Sequence, residues 1–356
     1  MRRQSHWTPV LVSVLLTWIR PGGFALAYDY YVATNGAGTP GTNWATAFTN
    51  LPAALSVAAS GDKVHVAGHR FRITATLSFP SSDVTLQGGY LGLGLPGTNN
   101  PSSWPTIVQR TGAGVFGVAR IVSKTGIAIR GITLTGGGGY ANGSGGGLYA
   151  QNSSFTLADS TVVSNFAYEG GGGGIYLDTC TATITNCTVA WNASWTSWGG
   201  TGGGIHAKAG TVSILNCTVR NNYANAQNVG CPAYGGGVYV ESGGATVRNC
   251  RIHDNWLNTS TGPRCGHGVF LQNGSTLVEN CVIATNKGQG VFYSNGVATV
   301  RNSILWNNGD DLVSFRTNGV GTLTNIWYCD VEDGDNNGVQ GCISTNPLLV
   351  DYAGRD

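Results

Sequence analysis

Residues 235–255 read Gly235-Gly236-Gly237-Val238-Tyr239-Val240-Glu241-Ser242-Gly243-Gly244-Ala245-Thr246-Val247-Arg248-Asn249-Cys250-Arg251-Ile252-His253-Asp254-Asn255. With Val238 as position zero, small or apolar residues fall at 0, +2, +7, +9, +12 and +14, namely Val238, Val240, Ala245, Val247, Cys250 and Ile252. A step of two is strand periodicity, with side chains directed alternately inward and outward. Two breaks in the alternation divide the stretch into three short strands. The frame recurs six times, starting at Leu148, Ile175, Ile205, Val238, Val269 and Val291. Eleven residues after each start comes Asp159, Asn186, Asn216, Asn249, Asn280 or Asn302, and six further on Asn165, Asn192, Asn222, Asn255, Asn286 or Asn308. All length variation, a spacing of 5 to 16 residues, falls between that second Asn and the next start. A helical solenoid would need a 3.6-residue period in each unit, and none is present. The expected architecture is therefore all-β, a single-stranded parallel β-helix solenoid with three strands per turn.

The Asn columns follow from the same geometry. Coils stack ~4.8 Å apart, so identical amides at one turn can hydrogen-bond along the stack. Asn also tolerates the left-handed backbone that tight turns require.

Composition agrees. The 356 residues include 56 Gly, with 41% hydrophobic and only 10% charged residues. There is no Gly-X-Y period, which excludes collagen. Arg2, Arg3 and Arg20 lie in the first 27 residues, which hold no acid, and without them 16 basic residues face 17 acidic ones. Such a chain offers no electrostatic footprint for nucleic acid. The Gly runs at 136–139, 145–147, 170–174 and 202–204 lack the Lys-Ser/Thr of a nucleotide loop, so no nucleotide partner is expected; tight returns from the loops are. Residues 1–27 have the form of a secretory signal: Arg2 and Arg3, then apolar Val10 to Ile19, then Ala25-Leu26-Ala27. The expectation is export to the cell exterior or surface, with no membrane span in the mature chain.

The run Gly-Gly-Gly-Ile/Val-aromatic followed by Asn-Cys-Thr-Val and the Asn turn resembles the right-handed β-helix proteins of the pectate-lyase-like superfamily, including polymorphic outer-membrane protein repeats. Tyr30-Tyr31-Val32, the apolar segment from about Leu51 to Ala59, Gly61-Asp62-Lys63-Val64-His65-Val66 and Val84-Thr85-Leu86-Gln87-Gly88-Gly89-Tyr90 extend it toward the N-terminus. Asn346-Pro347-Leu348-Leu349-Val350-Asp351 is similar to the family's terminal motif. The resemblance implies right-handedness and a division into a signal (1–27), a lead-in strand and capping helix (28–60), the β-helix (61–310) and a C-terminal coil or cap (311–356). It does not select a function, because this fold serves lyases, hydrolases, adhesins and secreted passengers.

Nine Cys in an exported chain raise the question of disulfides. Cys187, Cys217, Cys250 and Cys281 share the inward +12 place with Ser160 and Ser303, which favours small buried thiols. Cys231 with Cys265, and Cys329 with Cys342, are the bridge candidates.

Position +1 is Tyr149, Tyr176, His206, Tyr239, Phe270 and Phe292 in successive coils. It is either a stripe on which sugar rings stack or a ladder that joins coils. Position +3 holds Gln151, Asp178, Lys208, Glu241, Gln272 and Ser294. One reading of this column is a solvated ion-pair ladder. The other is a lyase-type site, with Lys208 or His206 abstracting the proton α to a uronate carboxylate while Asp178 and Glu241 hold Ca²⁺. Pectate lyases of the family use such a pairing, but their motif does not map residue by residue here, and the Asp trio of polygalacturonase-like members is missing. The variable loops emerge at one corner and carry Trp195, Trp198, Arg264 and His267, which with Tyr176 and Tyr239 are the candidate ligand-binding residues. Two functions follow as expectations. The first is a non-catalytic protein that binds polysaccharide or a surface partner through the aromatic face and one-sided loops. The alternative is a lyase or glycoside hydrolase acting on uronate-containing polysaccharide. A cofactor enters only in the lyase reading, as Ca²⁺.

Overall fold

The computed structural model describes residues 27–112, 117–138, 143–314 and 325–349. Residues 1–26 of the expected signal, and Val350-Asp351 of the expected terminal motif, lie outside the described residues. The chain winds as a parallel β-solenoid whose walls are sheets of 11, 10 and 9 strands. The frame read from the sequence sets the stacking. Ile175 pairs with Ile205, Ile205 with Val238, Val238 with Val269 and Val269 with Val291, always in parallel. The inward column Leu148, Ile175, Ile205, Val238, Val269 and Val291 is fully buried. Burial of branched side chains on a pleated inner face is the main stabilising term.

The strand Asp29–Val32 joins the 11-stranded sheet directly beside Lys63–Ala67. The helix Leu51–Val57 begins at the N-cap Asn50, whose Oδ1 accepts from the Ala53 amide at 3.1 Å. It buries Leu51, Ala54 and Leu55 in the N-terminal end of the core. Toward the C-terminus the three sheets end at the strands Asp310–Ser314, Ile326–Trp327 and Asp330–Val331.

The two Asn columns perform different tasks. The +11 residues Asn186, Asn216, Asn249, Asn280 and Asn302 have φ of 50–54° and turn the chain with their amides outside. The +17 column is buried. Asn165, Asn192, Asn222, Asn255 and Asn286 each donate from Nδ2 to the Oδ1 of the next Asn at 2.9–3.1 Å. There the left-handed residue is the one before the Asn: Ser164, Trp191, Asn221, Asp254, Thr285 and Asn307.

The Gly triplets are explained position by position. The first Gly (172, 202, 235, 266) has φ of 57–69°. A Cβ on the second (173, 203, 236) would come within 2.3–2.7 Å of the Ala193, Tyr223 or Trp256 backbone. A Cβ on the third (174, 204, 237) would lie 2.9–3.0 Å from an Asn-ladder amide nitrogen.

In the +12 column, Cys187, Cys217, Cys250 and Cys281 are buried free thiols, each donating to the carbonyl two residues earlier at 3.1–3.2 Å. Ser160 and Ser303 make the same bond at 2.7 and 2.9 Å. The column thus selects a small side chain that carries a donor. The two disulfide candidates are not bonded, since all nine thiols are free. Cys231 packs with Ala224, Ala226, Ala233 and Leu257, whereas Cys265 packs with Tyr239, Phe270 and Phe292. Their adjacency in the loops does not make them face each other. Burial pushes the Cys265 thiol up to about 11. Cys329 and Cys342 are both in the main core, where their thiols donate to backbone carbonyls.

Candidate functional site

The loops after the buried Asn ladder are not irregular. They pair into a fourth parallel sheet from Phe166–Tyr168, Ala193–Thr196, Tyr223–Ala226 and Trp256–Thr259. A three-stranded sheet of Gly200–Thr201, Ala233–Tyr234 and Arg264–Cys265 brings the chain back. Both arise because the coils beneath them are in register, so loops leaving one corner lie at strand spacing. The inward row Ala167, Ser194, Ala224 and Leu257 is buried, and the rows on either side point outward.

The outer surface of the fourth sheet is aromatic. Phe166, Tyr168, Tyr223 and Trp256 are half-buried, Trp195 is 38% exposed and Trp198 is 76% exposed. Trp195 meets the edge of Phe166 at 5.9 Å, Tyr223 lies 5.2 Å from Trp256, and the Lys287 ammonium sits 4.7 Å over the Trp256 ring. The Glu169 carboxylate accepts from the Ser197 amide at 3.0 Å and from its hydroxyl, and Gly199 donates to Thr196 Oγ1 at 2.7 Å. The backbone of the loop that carries Trp198 is thus held on both sides of the indole.

The +1 stripe differs from an open platform. Tyr149 and Tyr176 stack at 5.5 Å and 13° and stay half-buried, with the Arg120 guanidinium 5.3 Å from Tyr149. From His206 onward the stripe is closed: His206, Tyr239, Phe270 and Phe292 are buried. Tyr234, from the returning loop, lies 5.9 Å from Tyr239 and 5.0 Å from Phe270, roofing them. Tyr239 is therefore enclosed rather than offered to a ligand, and burial raises the pKa of its phenol and of Tyr176.

The +3 residues pair differently from a simple vertical ladder. Lys208 Nζ lies 3.3 Å from Asp178 Oδ2, which also accepts from Gln151 at 3.3 Å. Glu241 turns instead to His206, with Oε2 at 3.0 Å from Nε2. Desolvation lowers the His206 pKa, against the pull of the Glu241 carboxylate, so the imidazole stays neutral with its ring between Tyr176 and Tyr239. Asp178 and Glu241 each face a separate base, and the pair does not form an oxygen cage of the kind Ca²⁺ takes. Lys208 is 45% exposed at its side chain and open to solvent.

Arg264 folds onto its own loop, donating to the Thr259 carbonyl at 3.0 Å. His267 is buried, with Nδ1 3.0 Å from Gln289 Oε1, and desolvation lowers its pKa. The structure thus places Trp195 on the outer face of the loop sheet, with Trp198 on the loop that follows its strand, and pairs Asp178 with Lys208 and Glu241 with His206. Arg264 bonds its own loop, and His267 is buried against Gln289. Tyr168, Tyr223 and Trp256 complete the loop face. Their signal in the sequence is the alternation directly after each ladder Asn, as in Phe166-Ala167-Tyr168, Ala193-Ser194-Trp195 and Trp256-Leu257-Asn258.

A family model described as right handed beta helix region matches residues 146–325 and 236–350. No curated protein matches the sequence. Among solved structures, the crystal structure of pectate lyase Pel9A is similar at a TM-score of 0.58 and 14% identity, covering 93% of this chain and 85% of that one. The pectin methylesterase from Aspergillus niger reaches a TM-score of 0.42 at 13% identity, covering 92% of this chain and 93% of the other. The A-module of mannuronan C-5 epimerase AlgE4 from Azotobacter vinelandii reaches 0.34 at 11% identity, covering 80% and 89%. The family match supplies the right hand of the coil. It speaks for the repeat as such and not for the outer-membrane subtype.

Proposed function

The chain belongs to the right-handed β-helix family, and we propose that it is an exported, non-catalytic member that binds polysaccharide on the aromatic face of its loop strands. The observation that carries this reading is the outward aromatic set Tyr168, Trp195, Tyr223 and Trp256 on the loop sheet, followed by Trp198, 76% exposed on a loop pinned by Glu169. Apolar sugar faces stack on such rings, and a preorganised face avoids the entropy cost of ordering a loop on binding. Few charges lie among these rings, which suits a neutral or weakly acidic glycan. The similar pectate lyase places a polysaccharide-acting protein on the same scaffold. Export rests on the signal-like residues 1–27, and no described helix is long and apolar enough to cross a membrane. Binding to a panel of immobilised polysaccharides, compared between the wild type and Trp198→Ala, tests the reading.

The alternative is turnover at the Lys208–Asp178 and His206–Glu241 pairs, and it is favoured by one observation, the solvent-open Lys208 amine beside a carboxylate. Burial of His206 beneath its neighbours and the separation of the two acids speak against it. Unsaturated uronate released from a polymer, lost in Lys208→Ala, would select this alternative.

A further inference from the structure

A cleft of about 370 Å³ lies at the N-terminal end of the solenoid, between the start of the capping helix and the strand Arg70–Ile73. It is remote in sequence from the loop strands and has a different chemistry. Two arginines, Arg70 and Arg72, stand at i and i+2 on the outward side of that strand, and both are exposed. Only 19 of the 356 residues are Lys or Arg, so two on one short strand concentrate charge. No acid lines the cleft among the described residues. Arg70 gives one N–H to Gln109 Oε1 at 2.9 Å and keeps the rest of its fork. Arg72 has no hydrogen-bond or ion-pair partner among the described residues. Thr49, Thr74 and Asn50 also line the cleft, and Asn50, whose Oδ1 is engaged, has amide N–H groups that can still donate. Phe71, between the two arginines, turns its ring inward into the core, which sets both guanidinium groups on the outer side.

We infer that this cleft binds an acidic saccharide, with the sugar carboxylate in the Arg70–Arg72 fork and ring hydroxyls on Thr49, Thr74 and Asn50. Guanidinium forks match a carboxylate in two parallel hydrogen bonds, and the threonine hydroxyls both donate and accept, as polyhydroxylated ligands require. The volume falls within the ~300–1,000 Å³ range of small-molecule sites. The inference stands apart from the aromatic loop face.

The test is titration of the full mature chain with a uronate trisaccharide, the same trisaccharide with its carboxyls reduced to alcohols, and inorganic phosphate. It is followed by calorimetry and by NMR of the arginine side chains. Uronate binding that shifts the Arg72 resonance and weakens about tenfold or more in Arg72→Ala is the expected result, with Arg72→Lys falling between. Because Arg72 is exposed, the urea midpoint of the variant should match the wild type, which separates a lost contact from a lost fold. Trp195→Ala/Trp198→Ala should leave this binding intact, so failure of the loop-face reading and failure of the cleft are distinguishable. Phosphate binding as well as the uronate would reduce the cleft to an inorganic oxyanion site and overturn the inference. Equal affinity for the reduced trisaccharide, unchanged binding in Arg70→Ala/Arg72→Ala, or no uronate binding would overturn it too.

Discussion

Asn222 Nδ2 donates to Asn255 Oδ1 at 3.1 Å and, at 2.9 Å, to the Val189 carbonyl of the coil below. Its own Oδ1 accepts from the backbone amide and the side-chain amide of Asn192, both at 3.0 Å. One buried side chain thus satisfies donors and acceptors in three consecutive coils. Replacing it with Ala leaves two Asn192 donors buried without partners and takes one of its bonds from the Val189 carbonyl. Asn222→Ala should cost about 3–5 kcal/mol, summed from penalties of ~1–3 kcal/mol for orphaned buried groups. Urea unfolding reads this directly, and a loss below about 1 kcal/mol would contradict a cooperative ladder.

The glycines make a paired prediction. A Cβ at Gly204 would approach the Gly237 carbonyl oxygen at 2.6 Å and the Asn222 side chain at 3.0 Å, whereas at Gly244 its nearest contact is the Ser275 carbonyl oxygen at 3.8 Å. Gly204→Ala should destabilise the protein by about 2 kcal/mol or more through overpacking against backbone, and Gly244→Ala should be neutral within about 0.5 kcal/mol. Equal effects from the two would show that the triplets serve loop flexibility rather than close packing.

His206 sets a pH dependence. Desolvation holds its folded pKa below the 6.5 of the free imidazole, so the unfolded state takes up the proton first as pH falls. The contribution to stability is complete above pH 6.5, declines as pH falls from there, and stops declining below the folded pKa. The drop in urea midpoint below that pH should be shallower in His206→Gln than in the wild type. Parallel profiles for the two proteins would place the titration elsewhere; His267, shifted the same way by burial, is the next group to test.

The surface ion pair should matter little. Lys208 and Asp178 meet at 3.3 Å with the Lys side chain 45% exposed, so Lys208→Met should change stability by less than about 1 kcal/mol and lose even that at high salt. A larger, salt-resistant loss would mean that the pair is part of a buried network.

Much of the fold was legible because stacking repeats the same contact. Once Val238 and Val269 share a frame position, their pairing follows, and with it the buried thiols of Cys217 and Cys250. The candidate site was less legible. Whether Tyr239 is exposed depends on Tyr234, which lies outside the fixed frame on a loop of variable length. His206 and Glu241 meet although they stand at different frame positions, +1 and +3, one coil apart. The loop strand Ala193–Thr196 is only four residues long, and its alternation gains meaning only beside Tyr223–Ala226 in the next coil. Local pattern predicts repeated contacts well and predicts poorly those made by the variable segments.

The central claim is tested most directly by the affinity of the protein for a polysaccharide panel, measured for the wild type and for Trp195→Ala/Trp198→Ala. Retention of the wild type on at least one polymer, weakened about tenfold or more in the double variant with an unchanged urea midpoint, is the predicted result. Wild-type and variant retention that coincide, or no retention on any polymer, would contradict a glycan-binding loop face.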